Sequence, residues 1–106
     1  MIAVTEDNYD AILASKLPVL LDVFSYDCPP CRRVMPLIEQ LAVELEGRAI
    51  VAKVAVEDQP RLAGKLGVNA VPTFLVFDKG AIVHRLVGIQ SREALLDRLG
   101  ATNLVG

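Results

Sequence analysis

The chain has 106 residues, 53% of them hydrophobic, and a formal net charge of −2 at pH 7. This length and apolar fraction suit one folding unit with a sizeable core, and we expect a single domain over residues 1–106. The small charge, without any cluster of Lys or Arg, argues against a nucleic-acid-binding protein or a polybasic membrane surface.

The first residues of the chain predict a strand, a helix and a second strand. Residues 2–4 are apolar enough for a short strand. Thr5, which is followed by two acidic residues, is a favourable start for a helix over residues 6–15. Residues 19–24 then form a nearly continuous apolar run, which is typical of a strand buried on both faces.

The middle of the chain predicts a long helix, a strand and a short helix. Apolar residues at helical spacing favour a helix from the cysteines to Leu45, with a kink at Pro36. Residues 49–56 predict another buried strand. Pro60 opens a short helix that ends near Lys65.

The last part of the chain predicts a β-hairpin and a helix. Residues 73–77 and 82–87 flank the turn formed by Asp78, Lys79 and Gly80. Ser91 caps a final amphipathic helix that runs to Gly100. The predicted order βαβαβαββα is that of an α/β domain with a central mixed β-sheet flanked by helices.

Two cysteines carry the chemistry of the chain. Cys28 and Cys31 enclose Pro29 and Pro30 between a predicted strand and a predicted helix. Even with His84, the single histidine and a predicted surface residue, they are too few for a four-ligand structural zinc site. The helix N-terminus favours a thiolate on an exposed Cys28, while Cys31 is expected one turn inside and buried. The spacing indicates redox chemistry, with two merely packed cysteines as the alternative.

Nothing in the sequence predicts export or a membrane segment. The N-terminal residues lack the basic and apolar regions of a signal peptide, and no apolar run approaches the roughly 20 residues of a membrane span. We therefore expect a cytoplasmic protein that binds no membrane and no nucleic acid. We also expect a monomer without a metal or another cofactor.

With these cysteines as one of its matching segments, the chain resembles the thioredoxin family over nearly its whole length. The matching segments, in the family's order, are LLDVF, CPPC, Pro36, VAKVAVE, VPTFLVF, the Lys79-Gly80 turn and Val87-Gly88. The resemblance implies the thioredoxin fold and a protein-disulfide reductase. It also implies disulfide-containing protein substrates, and re-reduction by a thioredoxin reductase or another dithiol donor.

Asp22 interrupts an apolar strand, and Lys53 occupies a comparable place in the neighbouring one. A buried carboxylate is costly unless it is paired or protonated, so a purely structural ion pair is one interpretation. The resemblance implies another, in which Asp22 matches the acid that helps deprotonate the resolving cysteine and Lys53 matches its partner. A buried acid with a raised pKa suits proton exchange near neutral pH.

The resemblance also implies a substrate-docking surface. The Val71–Pro72 bond would be cis, Pro72 would lie against the cysteines, and Val71 would offer its backbone N–H and C=O to an extended substrate. The other positions that match the family's contact surface are Asp27, Pro30, Val56, Ala70, Val87 and Gly88. Ordinary loop and strand packing is the alternative for the last four.

The motif departs from the family's usual Trp-Cys-Gly-Pro-Cys at two positions. Asp27 replaces the tryptophan, which removes apolar docking area and sets a carboxylate where it disfavours a thiolate on Cys28. Pro29 replaces the glycine and removes one backbone donor. Both changes bear on which reductase and which substrates the protein recognises.

Three functions fit these residues. The leading one is a dithiol reductant that works through a mixed disulfide of Cys28, resolved by Cys31. An oxidant or isomerase would use the same residues at a higher potential, and a binding module would use the fold without turnover. The presence of Asp22 and Pro72 beside both cysteines argues against a pure binding module.

Overall fold

Nine elements alternate along residues 1–100, the part of the chain described by the structure, which is a computed structural model. Their order matches the predicted βαβαβαββα. In chain order they are β1 (Ile2–Ala3), α1 (Tyr9–Leu13), β2 (Val19–Phe24), α2 (Pro29–Glu44), β3 (Ile50–Ala55), α3 (Pro60–Lys65), β4 (Thr73–Asp78), β5 (Ala81–Val87) and α4 (Arg92–Leu99).

The strands form one mixed sheet in the order β1-β3-β2-β4-β5. Strands β1 and β2 run parallel to β3, whereas β4 runs antiparallel to β2 and to β5. Every residue of the central strand β2 is buried. The mixed sheet flanked by helices, predicted from the alternation of elements, is thus confirmed.

Side chains of β2 alternate between two apolar cores, as the pleat of a strand requires. Leu20 belongs to the core beneath α2 and α4, which contains Leu41 and Leu95. Leu21 belongs to the core on the other face, which contains residues of α3 such as Leu62. By the same alternation, Asp22 faces the α2 side of the sheet.

Helix α1 differs from the prediction, because it spans Tyr9–Leu13 instead of residues 6–15. Regular helix begins later than predicted, after a turn that Thr5 and Asn8 enclose. The Thr5 N–H donates to Asn8 Oδ1 at 2.7 Å, and the Asn8 N–H donates to Thr5 Oγ1 at 3.2 Å. This reciprocal pair is a capping box at Thr5, as the sequence predicts, and residues 6–8 form a turn that leads into regular helix at Tyr9.

The other turn and cap signals in the sequence are confirmed. Lys79 (φ 52°) and Gly80 (φ 82°) form the two-residue turn between β4 and β5. The Ser91 Oγ accepts the Ala94 N–H at 3.1 Å and caps α4. Helix α2 continues through Pro36 as one helix. Within residues 1–100, no helix is long and apolar enough to cross a membrane.

Candidate active site

The two cysteines form a disulfide at the start of α2, with their Cα atoms 5.3 Å apart. Cys28 is the N-cap residue, and Pro29 and Pro30 occupy the first helical positions. Proline is tolerated there because its missing N–H would have no helical partner. Cys31 is therefore the first residue of the helix with an N–H, which donates to the Cys28 Sγ at 3.2 Å. A thiolate on Cys28 would receive this hydrogen bond and the favourable field of the helix N-terminus.

Cys28 is more exposed than Cys31, but the prediction that it lies open to solvent is wrong for the disulfide form. The residue exposures are 6% for Cys28 and 1% for Cys31. Phe24, Ala55, Met35 and Val71 pack around the two cysteines and bury them. Because these neighbours come from β2, β3, α2 and the loop before β4, the N-cap position alone did not reveal the burial.

Asp22 is fully buried, and neither of its carboxyl oxygens has a hydrogen-bond partner within residues 1–100. Burial raises its pKa to about 7, and the Lys53 charge acts in the opposite direction. Asp22 and Lys53 lie opposite each other in the register of β2 and β3, and Phe74 lies opposite Asp22 on β4. On the same face of β2, Phe24 packs against the cysteines two residues further along.

The interpretation of Asp22 and Lys53 as a direct ion pair is not supported. No ion pair within 4 Å joins their side chains in the described part of the chain. Lys53 is half-buried and lines two cavities, of about 640 and 290 Å³, on the β1 side of the sheet. The Lys53 charge therefore influences Asp22 at longer range.

The Val71–Pro72 peptide bond is cis, as predicted. Val71 packs against the cluster that contains the disulfide, and Pro72 is buried. The Pro72 C=O accepts the Gly88 N–H at 2.8 Å, which joins the end of β5 to the loop before β4. The Val71 N–H and C=O take part in no hydrogen bond within residues 1–100. These two groups are thus available to an extended segment.

Most residues of the predicted docking surface lie near one another. Val56, Ala70 and Val71 line a cavity of about 460 Å³ beside the loop that leads to Cys28. Val87 is exposed, and Gly88 is half-buried at the end of β5. The remaining two, Asp27 and Pro30, flank the cysteines, with Asp27 exposed and Pro30 half-buried.

The residues that hold the loop before Cys28 in place were not predicted from the sequence. Glu57 accepts hydrogen bonds from the Ser25 hydroxyl and from the Tyr26 N–H, the latter at 3.3 Å. The Tyr26 hydroxyl donates to Asp58 Oδ2 at 2.5 Å. The sequence feature that could have indicated these contacts is the acidic pair Glu57-Asp58, which begins two residues after the end of β3. Parallel neighbours such as β2 and β3 end at the same edge of a sheet, so this pair and the loop after β2 lie close together.

Within residues 1–100, no group of three or more His, Cys, Asp or Glu side chains is arranged to hold a metal ion.

Comparisons with known proteins agree with this geometry. The family model for thioredoxin matches residues 1–101. A thioredoxin of Chlorobaculum thiosulfatiphilum is 36% identical over 96 residues, which cover 90% of this chain and 89% of the relative. A thioredoxin of Staphylococcus haemolyticus is 34% identical over 99 residues, covering 93% and 94% of the two chains. A thioredoxin of Rickettsia felis is 32% identical over 95 residues, covering 89% and 90%.

A mixed sheet whose central strand leads into a Cys-x-x-Cys disulfide at a helix N-terminus defines a thiol–disulfide oxidoreductase. This is the class of the protein-disulfide reductases. The chain belongs to the thioredoxin family, and its sheet and helices are those of the thioredoxin fold.

Proposed function

We propose that the protein reduces disulfides of protein substrates, with Cys28 as the attacking thiolate and Cys31 as the resolving thiol. The observation that carries these roles is the N-cap geometry, in which the Cys28 sulfur receives the Cys31 N–H while Cys31 lies deeper. A thiolate at the helix start is stabilised by that donor and by the helix dipole. The small exposed area of the pair belongs mainly to Cys28, so an incoming disulfide meets Cys28 first.

The reaction is a two-step exchange. The Cys28 thiolate attacks one substrate sulfur, the substrate S–S bond breaks, and the other substrate sulfur leaves as a thiolate. Cys31 then loses its proton and attacks the Cys28 sulfur, which releases the second substrate thiolate and closes the Cys28–Cys31 disulfide. Two electrons pass from the dithiol to the substrate, and the two released thiolates take up protons according to their pKa values.

Asp22 is the proposed acceptor of the Cys31 proton. Its pKa near 7 lets the same carboxyl group take up and release a proton around neutral pH. Asp22 lies on the same face of β2 as Phe24, which packs against the cysteines. The proton would therefore pass from the Cys31 thiol to the Asp22 carboxyl group within the protein interior. Lys53 is proposed to favour the ionised form of Asp22 from the neighbouring strand.

Val71 and Pro72 are proposed to form the main substrate contact, with Asp27, Pro30, Val56, Ala70, Val87 and Gly88 around them. The free N–H and C=O of Val71 suit a short β-type pairing with an extended segment that carries the disulfide. Regeneration would require a thioredoxin reductase or another dithiol donor. We place the protein, as a monomeric single domain, in the cytoplasm, where thiols are kept reduced.

The test is reduction of insulin disulfides by dithiothreitol, measured for the wild type and for the variants Cys28→Ser and Cys31→Ser. We expect both variants to lose turnover, and only Cys31→Ser to accumulate a mixed disulfide with insulin. Alkylation of the reduced wild type should modify Cys28 much faster than Cys31. Faster modification of Cys31, or a trapped complex only in Cys28→Ser, would reverse the assigned roles.

The redox potential separates the reductant from the oxidant or isomerase. A potential near the roughly −270 mV that is general for thioredoxins supports reduction, whereas one above about −180 mV supports oxidation or isomerisation. Wild-type protein without any insulin reduction would leave the binding module as the function.

A further inference from the structure

Tyr26, two residues before Cys28, is held in place by every polar group it has. Its N–H donates to Glu57 Oε1 at 3.3 Å, and its C=O accepts Arg32 Nη1 at 2.8 Å. Its hydroxyl donates to Asp58 Oδ2 at 2.5 Å. Its ring packs edge-on against Phe24, with the ring centroids 5.5 Å apart and the planes at 88°.

Despite these contacts, Tyr26 remains 57% exposed. An exposed side chain that is already fixed loses little conformational freedom when a partner binds. Tyrosine also offers a large, rigid contact area with few rotatable bonds. Tyr26 thus has the properties of a preorganised contact residue at the rim of the active site.

The position of Tyr26 relative to the disulfide follows from Phe24. The Phe24 ring contacts the Tyr26 ring on one side and belongs to the cluster around Cys28 and Cys31 on the other. Tyr26 also lines a cavity with Phe24, Asp58 and residues next to β1, so a polypeptide bound at Cys28 would meet the Tyr26 ring where it extends past Phe24 towards β1. Asp27, the residue between them, is exposed and offers no apolar area of this kind.

The charges around Tyr26 favour a cationic partner. Asp27, Glu57 and Asp58 are all exposed, and they outnumber the two cations nearby, which are Arg32, hydrogen-bonded to the Tyr26 C=O, and Lys53, which lines the same cavity as Tyr26. A Lys or Arg side chain over the ring would gain both a cation–π contact and the attraction of these carboxylates. An acidic side chain in the same place would be repelled.

We propose that Tyr26 is the docking aromatic of this active site and that it favours protein disulfides with a Lys or Arg beside the cystine. Asp58 and Glu57 are positioning residues, because they hold Tyr26 and do not themselves reach the reacting sulfurs. This inference rests on the proposed reductase function and names its substrate class.

The first experiment compares Tyr26→Ala and Tyr26→Phe with the wild type on insulin and on oxidised glutathione. Tyr26→Ala should lower kcat/KM for insulin by about 5- to 30-fold, mainly through KM, since aromatic contact residues carry much of the binding energy of an interface. The small disulfide should change by less than about twofold, because it is too short to reach the ring. Val43→Ala, which truncates a 75% exposed side chain towards the other end of α2, is the matched control for loss of exposed apolar area.

Tyr26→Phe keeps the ring and removes the bond to Asp58. It should lose less insulin activity than Tyr26→Ala, and Asp58→Ala, which removes the acceptor of the same hydrogen bond, should resemble it. An equal loss on insulin and on oxidised glutathione would overturn the proposal, because Tyr26 would then position Cys28 and not the substrate. Unchanged insulin kinetics in Tyr26→Ala would overturn it as well.

The second experiment tests the charge preference. Two disulfide-bridged peptides, identical except for Lys or Glu beside the cystine, are reduced by the wild type, Tyr26→Ala and Asp58→Asn. The wild type should reduce the Lys peptide several-fold faster, and both variants should narrow the difference. Equal rates with the wild type would overturn the Tyr26 preference and leave the reductase intact, whereas no reduction of either peptide or of insulin would overturn the reductase function itself.

Discussion

At the scale of single residues, Asp22 is the group whose environment departs most from water. Its two oxygens have no hydrogen-bond partner within residues 1–100, and burial raises its pKa from 3.8 to about 7. In the unfolded chain the carboxyl group loses its proton near pH 4, while the folded protein keeps that proton until about pH 7. Over this interval the folded state binds more protons, so stability falls as the pH rises.

We therefore predict that Asp22→Asn stabilises the protein more at high pH than at low pH. The gain in unfolding free energy should be small near pH 4 and should rise to at most about 4 kcal/mol above about pH 8. Urea unfolding of the oxidised protein across this range measures it. Insulin turnover should fall in the same variant, since the proton acceptor is lost. Parallel stability curves for the two proteins would show that Asp22 has an ordinary pKa.

Asp27 tests how the residue next to the nucleophile affects docking. Its side chain is exposed, and its backbone N–H donates a hydrogen bond to Ser25 Oγ at 3.3 Å. Asp27→Trp should raise kcat/KM for insulin several-fold, because it adds apolar contact area and removes a charge that repels acidic partners. The pKa of Cys28 should fall by less than about one pH unit, because solvent screens an exposed carboxylate.

Asp27→Asn is the matched control, since it removes the charge without adding an aromatic ring. It should gain less insulin activity than Asp27→Trp. If Asp27→Trp shifts the thiol pKa strongly and leaves the insulin kinetics untouched, Asp27 tunes the thiol and has no docking role.

At the scale of elements, the cap of α4 is the clearest local determinant of stability. The Ser91 Oγ accepts the Ala94 N–H, and α4 supplies Leu95 and Leu99 to the main core. Ser91→Ala should lower the unfolding free energy by about 1 kcal/mol, while Ser91→Asp keeps an acceptor and should stay close to the wild type. Thermal or urea unfolding measures both, and an equal loss in the two variants would exclude the cap as the cause.

Elements with long apolar runs or explicit caps could be predicted from the sequence, whereas contacts between elements could not. The strands, the Lys79-Gly80 turn and the Ser91 cap were predicted because each depends on a few neighbouring residues. The cap at Thr5 was predicted, whereas the turn over residues 6–8 that precedes regular helix was not.

In the site, too, features that depend on one segment were predicted, whereas contacts between segments were not. The cysteine pair was predicted from its spacing, and the cis bond before Pro72 from the resemblance to the thioredoxin family. The burial of Cys28 and the hydrogen bond from Tyr26 to Asp58 depend on how separate elements meet. No spacing within one segment encodes either of them.

At the scale of the whole molecule, the sheet separates two cores, and the core beneath α2 supports the active-site helix. Leu95 is fully buried there, far along the chain from the cysteines. Leu95→Ala should lower the unfolding free energy by about 2–5 kcal/mol, because it removes apolar contacts and leaves a cavity. Val43→Ala, at an exposed position, should change it by less than about 0.5 kcal/mol. A similarly small loss of unfolding free energy in both variants would show that the core repacks and fills the cavity left by Leu95.

The hydrogen bond between the Gly88 N–H and the Pro72 C=O provides an internal reference for measuring substrate binding by amide exchange. In the free protein the Gly88 amide proton should exchange slowly with deuterated water, while the Val71 amide proton, which has no acceptor within residues 1–100, should exchange quickly. When a substrate strand pairs with Val71, the Val71 exchange should slow and the Gly88 rate should stay nearly constant. The ratio of the two rates, followed in a trapped mixed disulfide of Cys31→Ser, would then report what fraction of the time a bound polypeptide is paired with the loop.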